Sequence, residues 1–395
     1  MSVRVNNRIS SLPPSPTMTV SARAAEMRRQ GIDVLSFAAG EPDFPTPAHV
    51  VDAAIAAMRA GKTTYTAAVG LVELREAICR RLRAEIGVSF TPAEVVVSPG
   101  AKYALFAAFQ VLLERGDEVI IPAPYWVSFP EQVRLADGVP VIVDCPAETG
   151  FALDPEALRA AITERTRVIV LNSPGNPTGA VYSRQALESV LDVVRGHRGQ
   201  PLWVLSDETY SRLVFDGAEH FSPAQIAPDL RDQILIASSL SKTYAMTGWR
   251  VGFLAAPKDV ITAIGTLQSH SNSNVNTIAQ WAAIAALDGD QTVVESMREA
   301  FSERRKIVLE LLAAVPGFSC GAPSGAFYVF PSTRGVMDSS LEMARILLEE
   351  ARVAVVPGDA FGAPGHLRIS YATSLANLRT GIERIRQAVE NLARR

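Results

Sequence analysis

Short apolar runs alternate with helix-forming segments between residues 95 and 255, and this alternation constrains the fold more than any other feature. Strands are predicted at 95–97, 118–121, 139–143, 168–171, 202–206, 233–237 and 251–255. Helices are predicted at 48–60, 71–86, 101–114, 155–162 and 184–195. Strands that are apolar throughout are buried on both faces, and intervening helices supply the crossovers of a parallel sheet. The sequence therefore predicts an α/β fold with a mostly parallel sheet covered on both faces.

The alternation of short apolar runs with helix-forming segments ends after Asn276, and this change predicts a second, α+β unit. A long helical region runs to about residue 313, followed by strand-like stretches at 326–330, 353–356 and 367–371. Further helices are predicted at 340–351 and 375–393. At the other end, residues 1–18 are predicted to form an extended arm, before a short helix at 21–30 and a strand at 34–37.

Composition excludes several classes of protein. The chain has 395 residues, of which 48% are hydrophobic and 20% charged, and its net charge is −3. This balance is that of a globular enzyme and argues against partners such as nucleic acid or an anionic membrane surface. No apolar run reaches the roughly 18–20 residues that a membrane span needs.

Cysteine and histidine usage predicts a reduced, cytoplasmic protein without a metal site. Three cysteines are widely spaced, and the five histidines form no cluster. Pro13, Pro14 and Pro16 occupy the place where a signal peptide would have its apolar core, so no signal peptide is expected.

The stretch between the last two predicted strands carries the strongest chemical signal. Ser239, Ser241 and Lys242 follow one strand, and Arg250 precedes the next. A lone lysine in a loop is usually exposed, but a lysine at the end of a buried strand is placed where its pKa can fall, which makes the amine a usable nucleophile. The nearby hydroxyls and the arginine would suit an aldehyde cofactor that carries a phosphate.

The motif Ser241-Lys242, followed by Gly248-Trp249-Arg250-Val251-Gly252, resembles the lysine attachment site of fold-type I pyridoxal-phosphate (PLP) enzymes of the class I/II aminotransferase group. The resemblance covers about residues 20–390 and is closest to bacterial aspartate aminotransferases. It implies a seven-stranded, mostly parallel large domain at 46–290. It also implies a small domain made from 1–45 and 291–395, and a homodimer with shared active sites.

Two polar segments after predicted strands are expected to contact the cofactor ring. In Asn172-Ser173-Pro174-Gly175-Asn176-Pro177-Thr178-Gly179, a tight turn by composition, the resemblance implies that Asn176 binds the phenolic oxygen and that the bond before Pro177 is often cis. Asp207 would bond to the pyridinium nitrogen, although an aspartate at a strand end can also be a helix N-cap. Tyr210, one turn further on, would face the same ligand.

The phosphate is expected to lie against the start of the helix after residue 100. Backbone N–H groups at Gly100 and Ala101 would hold it together with the serines and Arg250. Lys102 either helps to bind phosphate or contacts a distal carboxylate of the substrate; alternatively it is an exposed lysine of the first helical turn.

Two aromatic residues are assigned by the same resemblance. Trp126 would stack on the pyridine ring and border the substrate, with ordinary core packing as the alternative. Tyr65 would reach across the dimer to the phosphate bound by the partner subunit.

Substrate recognition is assigned to Arg368, whose planar guanidinium suits the α-carboxylate of an amino acid. The alternative is a surface arginine on a strand. Gly40 would place a backbone group against the same carboxylate, with Asn176 and Lys102 completing the substrate contacts.

The implied activity is a ping-pong transamination between an L-amino acid, with aspartate preferred, and a 2-oxo acid such as 2-oxoglutarate. Lys242 would hold PLP as an imine and then move the proton from Cα, with Asp207 and Tyr210 as further catalytic residues. Members of the group that also use prephenate carry a lysine in the N-terminal arm where this chain has Pro13, so that activity is not carried over.

Two kinds of alternative stay open. On the same scaffold, the chain could be an aromatic or broad-range aminotransferase, a carbon–sulfur lyase or an oxidase-like amino-acid enzyme. A PLP-sensing transcription regulator is disfavoured, because only an arm precedes the core and no basic recognition helix is visible.

Overall fold

The computed structural model describes residues 5–394. Its strands are β1 Leu35–Ser36, β2 Val95–Ser98, β3 Glu118–Ala123, β4 Val139–Asp144, β5 Thr166–Asn172, β6 Trp203–Asp207, β7 Ile234–Ser239, β8 Gly252–Ala255, β9 Tyr328–Val329, β10 Val353–Ala354, β11 Val356–Pro357 and β12 Leu367–Ser370. Its α-helices are α1 Asn7–Ser10, α2 Pro16–Arg29, α3 Ala48–Arg59, α4 Val72–Ile86, α5 Ala101–Leu112, α6 Ser128–Leu135, α7 Pro155–Ala161, α8 Arg184–Gly196, α9 Pro223–Ile226, α10 Leu240–Thr243, α11 Lys258–Ser271, α12 Thr277–Asp288, α13 Thr292–Ala313, α14 Ser340–Glu349 and α15 Leu375–Ala393. Short 3₁₀ turns lie at Pro92–Glu94, Ala147–Thr149, Pro228–Gln233 and Gly358–Phe361.

A seven-stranded sheet forms the centre of the molecule, in the order β2-β8-β7-β6-β5-β3-β4. All pairs are parallel except those of β8, which is antiparallel to both β2 and β7. β8 follows β7 after a loop with only the one-turn α10, so no full crossover helix intervenes and the chain reverses direction. The predicted α/β class with a mostly parallel sheet is confirmed.

Each face of this sheet covers its own apolar core. Val204 and Ile236 belong to the cluster that α4, α8 and α12 cover. Leu205 and Ala237, their neighbours in sequence, belong to the cluster on the other side, under α5, α6 and α11. Side chains of adjacent strand residues point to opposite faces, so two neighbours at a strand end also reach two different environments.

The C-terminal region forms a second body that includes residues from the N-terminal segment. β9, β11 and β12 form an antiparallel sheet, and β1 pairs in parallel with β10 through Leu35↔Val353 and Ser36↔Ala354. Phe37, 1% exposed, lies in the apolar cluster of this body. This pairing is what a small domain made from both ends of the chain requires, and the boundaries at residues 45 and 290 stay a prediction.

The prediction of an extended arm over residues 1–18 is wrong for residues 7–10 and 16–18, which are helical. Residues 7–10 form a helical turn whose N-cap, Asn6, accepts a hydrogen bond from the N–H of Arg8. The next helix begins at Pro16 rather than near residue 21. Proline is well tolerated at the first helical position because its missing N–H would have no partner there. Residues 1–4 of the predicted arm lie outside the described residues.

Other differences are local. The helices α6 and α11 were not predicted from the sequence, and the long helix predicted after Asn276 is divided into α12 and α13 at residues 289–291. Within residues 5–394, no helix combines the length and apolar character needed to cross a membrane. The same residues contain no cluster of three or more side chains suited to a metal ion.

Candidate active site

A cavity of about 310 Å³ opens at the carboxyl ends of β5, β6 and β7, which contribute Asn172, Asp207 and Ser239. This is where open parallel sheets place their ligand sites, and the volume is within the usual range for a small-molecule site. The lining residues are Ser15, Thr17, Met18, Gly40, Ala101, Lys102, Leu105, Trp126, Val127, Asn172, Asn176, Asp207, Thr209, Tyr210, Ser239, Ser241, Lys242, Arg250, Tyr328 and Arg368.

Lys242 lies on α10, immediately after β7, with its side chain in the cavity. Its Nζ donates a hydrogen bond of 2.5 Å to the carbonyl oxygen of Gly40. Burial lowers the pKa of Lys242 to about 8, against an opposing effect of the Glu41 carboxylate. A much larger fraction of this amine is therefore neutral near physiological pH than for an exposed lysine.

Asp207 ends β6 and is 6% exposed. Burial raises its pKa to about 6, so the carboxyl group is ionised at neutral pH but more basic than usual. Its Oδ1 accepts a hydrogen bond of 3.1 Å from the N–H of Thr209. Asp207 thus caps a turn, and no helix begins there.

Asn172 connects the ends of two strands beneath the cavity. Its Nδ2 donates to the main-chain oxygen of Asp207 over 3.2 Å, and its Oδ1 accepts from the N–H of Asn176 over 2.9 Å. The turn that follows contains cis peptide bonds before Pro174 and Pro177. The turn and the carboxylate strand are therefore held in register by one side chain.

Arg368 is 2% exposed, which excludes the alternative of a surface arginine. It lies on β12, and its two terminal nitrogens donate to Oδ1 of Asn176 at 2.9 Å and to the carbonyl oxygen of Ala38 at 2.7 Å. The guanidinium also lies over the rings of Tyr328 and Phe361, at 4.6 and 5.1 Å from their centroids. Burial lowers its pKa, so the site must supply compensating partners to keep this charge.

Tyr210 and Tyr328 form a buried hydroxyl pair next to Arg368. Their oxygen atoms are 2.8 Å apart, and burial raises the pKa of both phenols. Both therefore stay protonated at neutral pH. One hydroxyl of the pair donates to the other, which leaves one O–H to donate to a bound oxygen.

The start of α5 meets Arg250 closely. Gly100, with φ +81°, is the N-cap, and a Cβ at this position would lie 2.6 Å from Nη2 of Arg250. The guanidinium donates to the carbonyl oxygens of Thr247 and Pro99, at 2.9 and 3.2 Å. Ser239 and Ser241, both buried, line the same cavity as Ala101. Main-chain N–H groups, two hydroxyls and one cation are thus available to an anion.

Lys102 and Trp126 lie together at the cavity. Lys102 is exposed in the first turn of α5, and its Nζ is 4.9 Å from the centroid of the Trp126 ring. Partial loss of solvation at the cavity, followed by the nearby Arg250 charge, lowers the pKa of the lysine. Trp126 also contacts Phe129 edge to face, with centroids 5.4 Å apart. Lys102 is therefore paired with an aromatic surface that borders the site.

Tyr65 lies apart from the other predicted residues. It is 88% exposed, and it does not border the cavity within the described part of the chain. Gly40, in contrast, borders the cavity, where a Cβ would lie 2.7 Å from the Tyr328 hydroxyl.

Several lining residues were not found from the sequence. Tyr328 reaches the site because β9 pairs with β12 through Ser370↔Tyr328. Asn172 and Thr209 are neighbours of predicted residues, so their positions after strands were a usable signal. The segment 15–18 lies against the cavity only through the tertiary fold, and no sequence motif indicated it.

The side chains present fit pyridoxal phosphate. The anion-binding groups at the start of α5 suit a phosphate, the Asp207 carboxylate suits a protonated ring nitrogen, and the Lys242 amine suits an aldehyde. Among the described residues, Oγ1 of Thr209 is buried without a hydrogen-bond partner. Such an orphaned hydroxyl beside the cavity is expected where a ligand supplies the missing partner.

Comparisons with known proteins agree with this chemistry. Residues 32–385 match the family model described as aminotransferase class I and II. The chain is 48% identical over 393 residues to the aspartate aminotransferase of Geobacillus stearothermophilus, covering 98% of this chain and 99% of the relative. It is 47% identical over 383 residues to the aspartate/prephenate aminotransferase of Thermus thermophilus, covering 96% and 97%.

Two solved structures show the same similarity in three dimensions. The aspartate aminotransferase from Rhizobium meliloti superimposes with a TM-score of 0.95 at 42% identity, covering 98% of this chain and 99% of that one. The Thermus thermophilus enzyme with maleate gives 0.94 at 46% identity, covering 98% and 100%. The chain therefore belongs to the class I and II aminotransferases, which are pyridoxal-phosphate-dependent enzymes that transfer amino groups between amino acids and oxo acids.

Proposed function

We propose that this aminotransferase uses aspartate as its preferred amino donor and a 2-oxo acid such as 2-oxoglutarate as acceptor. The observation that carries the proposal is one cavity containing the Lys242 amine, the Asp207 carboxylate and the Arg368 guanidinium. The names of the relatives support the choice of aspartate. The solved relative with maleate, a four-carbon dicarboxylate, supports a dicarboxylic substrate.

The chain's own groups divide into those that bind the cofactor's phosphate and those that bind its ring. Ser239, Ser241 and Arg250 bind the phosphate together with the main chain at Gly100 and Ala101. In this proposal Lys102 is a neighbour of the phosphate that also faces the substrate. Because charge-assisted hydrogen bonds are the strong ones, these donors hold most of the cofactor's affinity.

The ring is oriented by three polar contacts and one aromatic one. Asp207 accepts a hydrogen bond from the ring nitrogen, while Asn176 and Tyr210 contact the phenolic oxygen, and Trp126 stacks on the ring. When bound, pyridoxal phosphate serves as an electron sink that stabilises negative charge developing at the substrate's Cα. Asp207, with a pKa of about 6, is ionised at neutral pH, and its negative charge favours the protonated ring nitrogen, which strengthens that sink.

Lys242 moves the proton. Its amine, once free, would take the proton from the substrate's Cα and deliver it to the C4′ carbon of the cofactor, acting as general base and then as general acid. A pKa of about 8 places the amine near the pH at which both roles are served. Tyr210 and Asp207 hold the reacting atoms in place during this transfer.

The substrate is held by its carboxylates. Arg368 binds the α-carboxylate through its two terminal nitrogens, and the main chain at Gly40 borders the same group. Lys102 is the cation available for a distal carboxylate, with Trp126 and Asn176 bordering the substrate. Prephenate is not proposed as a substrate, because Pro13 stands where prephenate-using members of the group carry a lysine.

The working form is a homodimer in the cytoplasm. Tyr65 is a large side chain that is almost fully exposed, which is expected of a residue whose ligand lies in another subunit. The proposed assembly therefore completes each phosphate site with Tyr65 of the partner subunit. We propose neither nucleic acid nor a membrane as a partner of this homodimer.

Incubating the cofactor-loaded enzyme with each amino acid singly tests the substrate. We expect aspartate and glutamate to convert the cofactor to its amine form with release of the matching 2-oxo acid, measured by absorbance and by product analysis. Conversion only by aromatic amino acids would replace aspartate as the substrate. Ammonia release with the cofactor regenerated would indicate a lyase, and consumption of oxygen would indicate oxidase-like chemistry.

A further inference from the structure

Asp207 and Glu208 point to opposite faces of the central sheet. Asp207 borders the active-site cavity, and Glu208 borders a second cavity of about 490 Å³, lined in part by Leu82, Ile236 and Phe253. Leu82, Ile236 and Phe253 belong to the core on the side away from α5. Glu208 is 3% exposed, so a second carboxylate is buried one peptide unit away from the proposed ring partner.

The Glu208 side chain is held by three partners. Its Oε1 accepts hydrogen bonds from the hydroxyls of Ser206 and Ser222, at 2.9 and 2.7 Å. Its Oε2 lies 3.1 Å from Nε2 of His220, which donates to it in the tautomer that carries the proton on that nitrogen. The His220 side chain is 7% exposed, and both serines are buried. A buried carboxylate with this many donors has a single favoured position.

The main chain of Glu208 is fixed as well. Its N–H donates to the carbonyl oxygen of Ala237 on β7 over 2.9 Å, and its carbonyl oxygen accepts from the N–H of Ser211 over 3.0 Å. No regular helix follows β6 before Tyr210, so the direction of this segment depends on such individual contacts. Any rotation of the Glu208 peptide moves Asp207 on one side and Tyr210 on the other.

We propose that Glu208 and His220 are positioning residues for Asp207 and Tyr210, acting from the face of the sheet opposite to the active site. This rests on the proposed contact between Asp207 and the ring nitrogen. The charge of Glu208 also acts on Asp207 directly, since it adds to burial in raising the pKa of that carboxyl group. Loss of one partner would leave the buried Glu208 carboxylate with fewer hydrogen-bond donors. Because an unsatisfied buried carboxylate costs free energy, we expect the main chain at Glu208 to shift so that the carboxylate finds new donors.

The second cavity offers a matched control. Glu85 borders it too, but its carboxylate accepts from Arg81 and Arg212, and its hydrogen bonds within the described chain reach neither Glu208 nor His220. Burial raises the pKa of Glu85, and Arg212 also bonds to Glu295. Glu85→Gln therefore disturbs the charge of the same cavity without touching the contacts that fix residue 208.

The test uses the cofactor-loaded enzyme and measures two properties of the bound cofactor in addition to turnover. These are the pH midpoint of its absorbance change and its dissociation constant. A protonated ring nitrogen withdraws electrons and makes the nitrogen bound to Lys242 less basic, so a displaced Asp207 should raise the midpoint. We expect His220→Leu and Ser222→Ala to raise it and to weaken binding about three- to tenfold, the range that one net hydrogen bond represents.

Three further variants decide between outcomes. His220→Gln, whose amide can donate to Glu208, should restore most of the parental values, and Glu85→Gln should leave them unchanged. If Asp207→Asn itself leaves the midpoint unchanged, the ring partner is wrong and the inference is overturned with it. If Asp207→Asn moves the midpoint while His220→Leu and Ser222→Ala do not, or if Glu85→Gln moves it equally, only the positioning proposal is overturned.

Discussion

At the scale of single residues, burial of ionisable side chains in the site changes their pKa values. Burial lowers the pKa of Lys242 to about 8 and raises that of Asp207 to about 6. Burial disfavours the charged form of each group, so the amine becomes a better nucleophile and the carboxylate a better proton acceptor. The lowered pKa of Lys242 favours attachment of the cofactor, which needs a neutral amine. A pKa of about 6 still leaves Asp207 ionised at neutral pH, as a partner for a protonated ring nitrogen must be.

The lowered pKa of Lys242 predicts how the cofactor-free enzyme takes up pyridoxal phosphate. With a pKa of about 8, about a tenth of the amine is neutral at pH 7, against about one part in three thousand for an ordinary lysine. The attachment rate should rise about tenfold per pH unit below 8 and level off above it, as followed by absorbance in stopped flow.

Two variants check the source of this signal. Lys242→Ala should abolish both covalent attachment and turnover, while Lys258→Ala, on the exposed start of α11, should change neither. A rate that keeps rising up to pH 10 would contradict the lowered pKa.

The elements of the sheet were largely predictable from the sequence, and the reason is physical. Strands buried on both faces must be apolar throughout, so each of the seven runs was visible without its neighbours. The antiparallel direction of β8 was not visible, because it depends on the path of the loop after Lys242. In the N-terminal arm, Pro16 was used only as evidence against a signal peptide, whereas in the structure it is the first residue of a helix.

The residues of the candidate site also divide into those that the local sequence indicated and those that it did not. Asn176, Asp207 and Lys242 each follow an apolar run, so the strand pattern itself indicated them. Tyr328 borders the cavity only because β9 pairs with β12, and that register joins segments far apart in sequence. Contacts that depend on long-range pairing leave no local signal, which is also why the segment 15–18 was missed.

Close packing between β8 and α5 makes a prediction at the scale of elements. A Cβ at Gly252 would lie 2.5 Å from the main-chain N of Ala101 and C of Gly100. Gly252→Ala should therefore push the start of α5 away and destabilise the protein by about 1–3 kcal/mol. It should also weaken cofactor binding at least about tenfold, because the phosphate donors move. Thermal unfolding and a cofactor titration measure the two effects.

Gly248→Ala is the matched control. Gly248 lies in the loop that precedes β8 and is exposed, and a Cβ added there would have no neighbouring atom of the described chain within 4 Å. Parental cofactor affinity in Gly252→Ala, or an equal loss in Gly248→Ala, would show that the approach of β8 to α5 is not what holds the phosphate donors.

At the scale of the whole molecule, the two ends of the chain are built into one body. β1 pairs with β10, and a Cβ at Gly381 of α15 would lie 2.3 Å from the ring of Phe37. The carbonyl oxygen of Ala38, the next residue, accepts from Arg368. The N-terminal segment is thus packed against the last helix on one side and bonded to the active site on the other.

Mixing of subunits tests whether neighbouring chains share their sites. Lys242→Ala and Tyr65→Ala should each be nearly inactive as homodimers. After mixing by reversible unfolding, half of the dimers carry one of each chain, and each of these has one intact site out of two. Activity should return to about a quarter of the parental value, as the two-fold symmetry of a dimer requires.

The control mixture is Lys242→Ala with Asp207→Asn. Both residues belong to the same cavity of the same chain, so no mixed dimer has an intact site and no activity should return. Absence of recovery with Tyr65→Ala, or recovery in the control mixture, would contradict sites completed by the partner's tyrosine.

The pairing of Arg368 has a consequence for how substrates are told apart. Its terminal nitrogens already donate to Asn176 and to the carbonyl oxygen of Ala38. If Arg368 has its proposed role, a substrate carboxylate must compete with these two acceptors for the guanidinium N–H groups. Selectivity for amino acids over simple amines then comes from an exchange of partners, in which a neutral acceptor is replaced by a charged one. Such an exchange also breaks hydrogen bonds through which Arg368 joins the turn at Asn176 to the N-terminal segment. Binding of the correct substrate therefore changes the contacts of both segments.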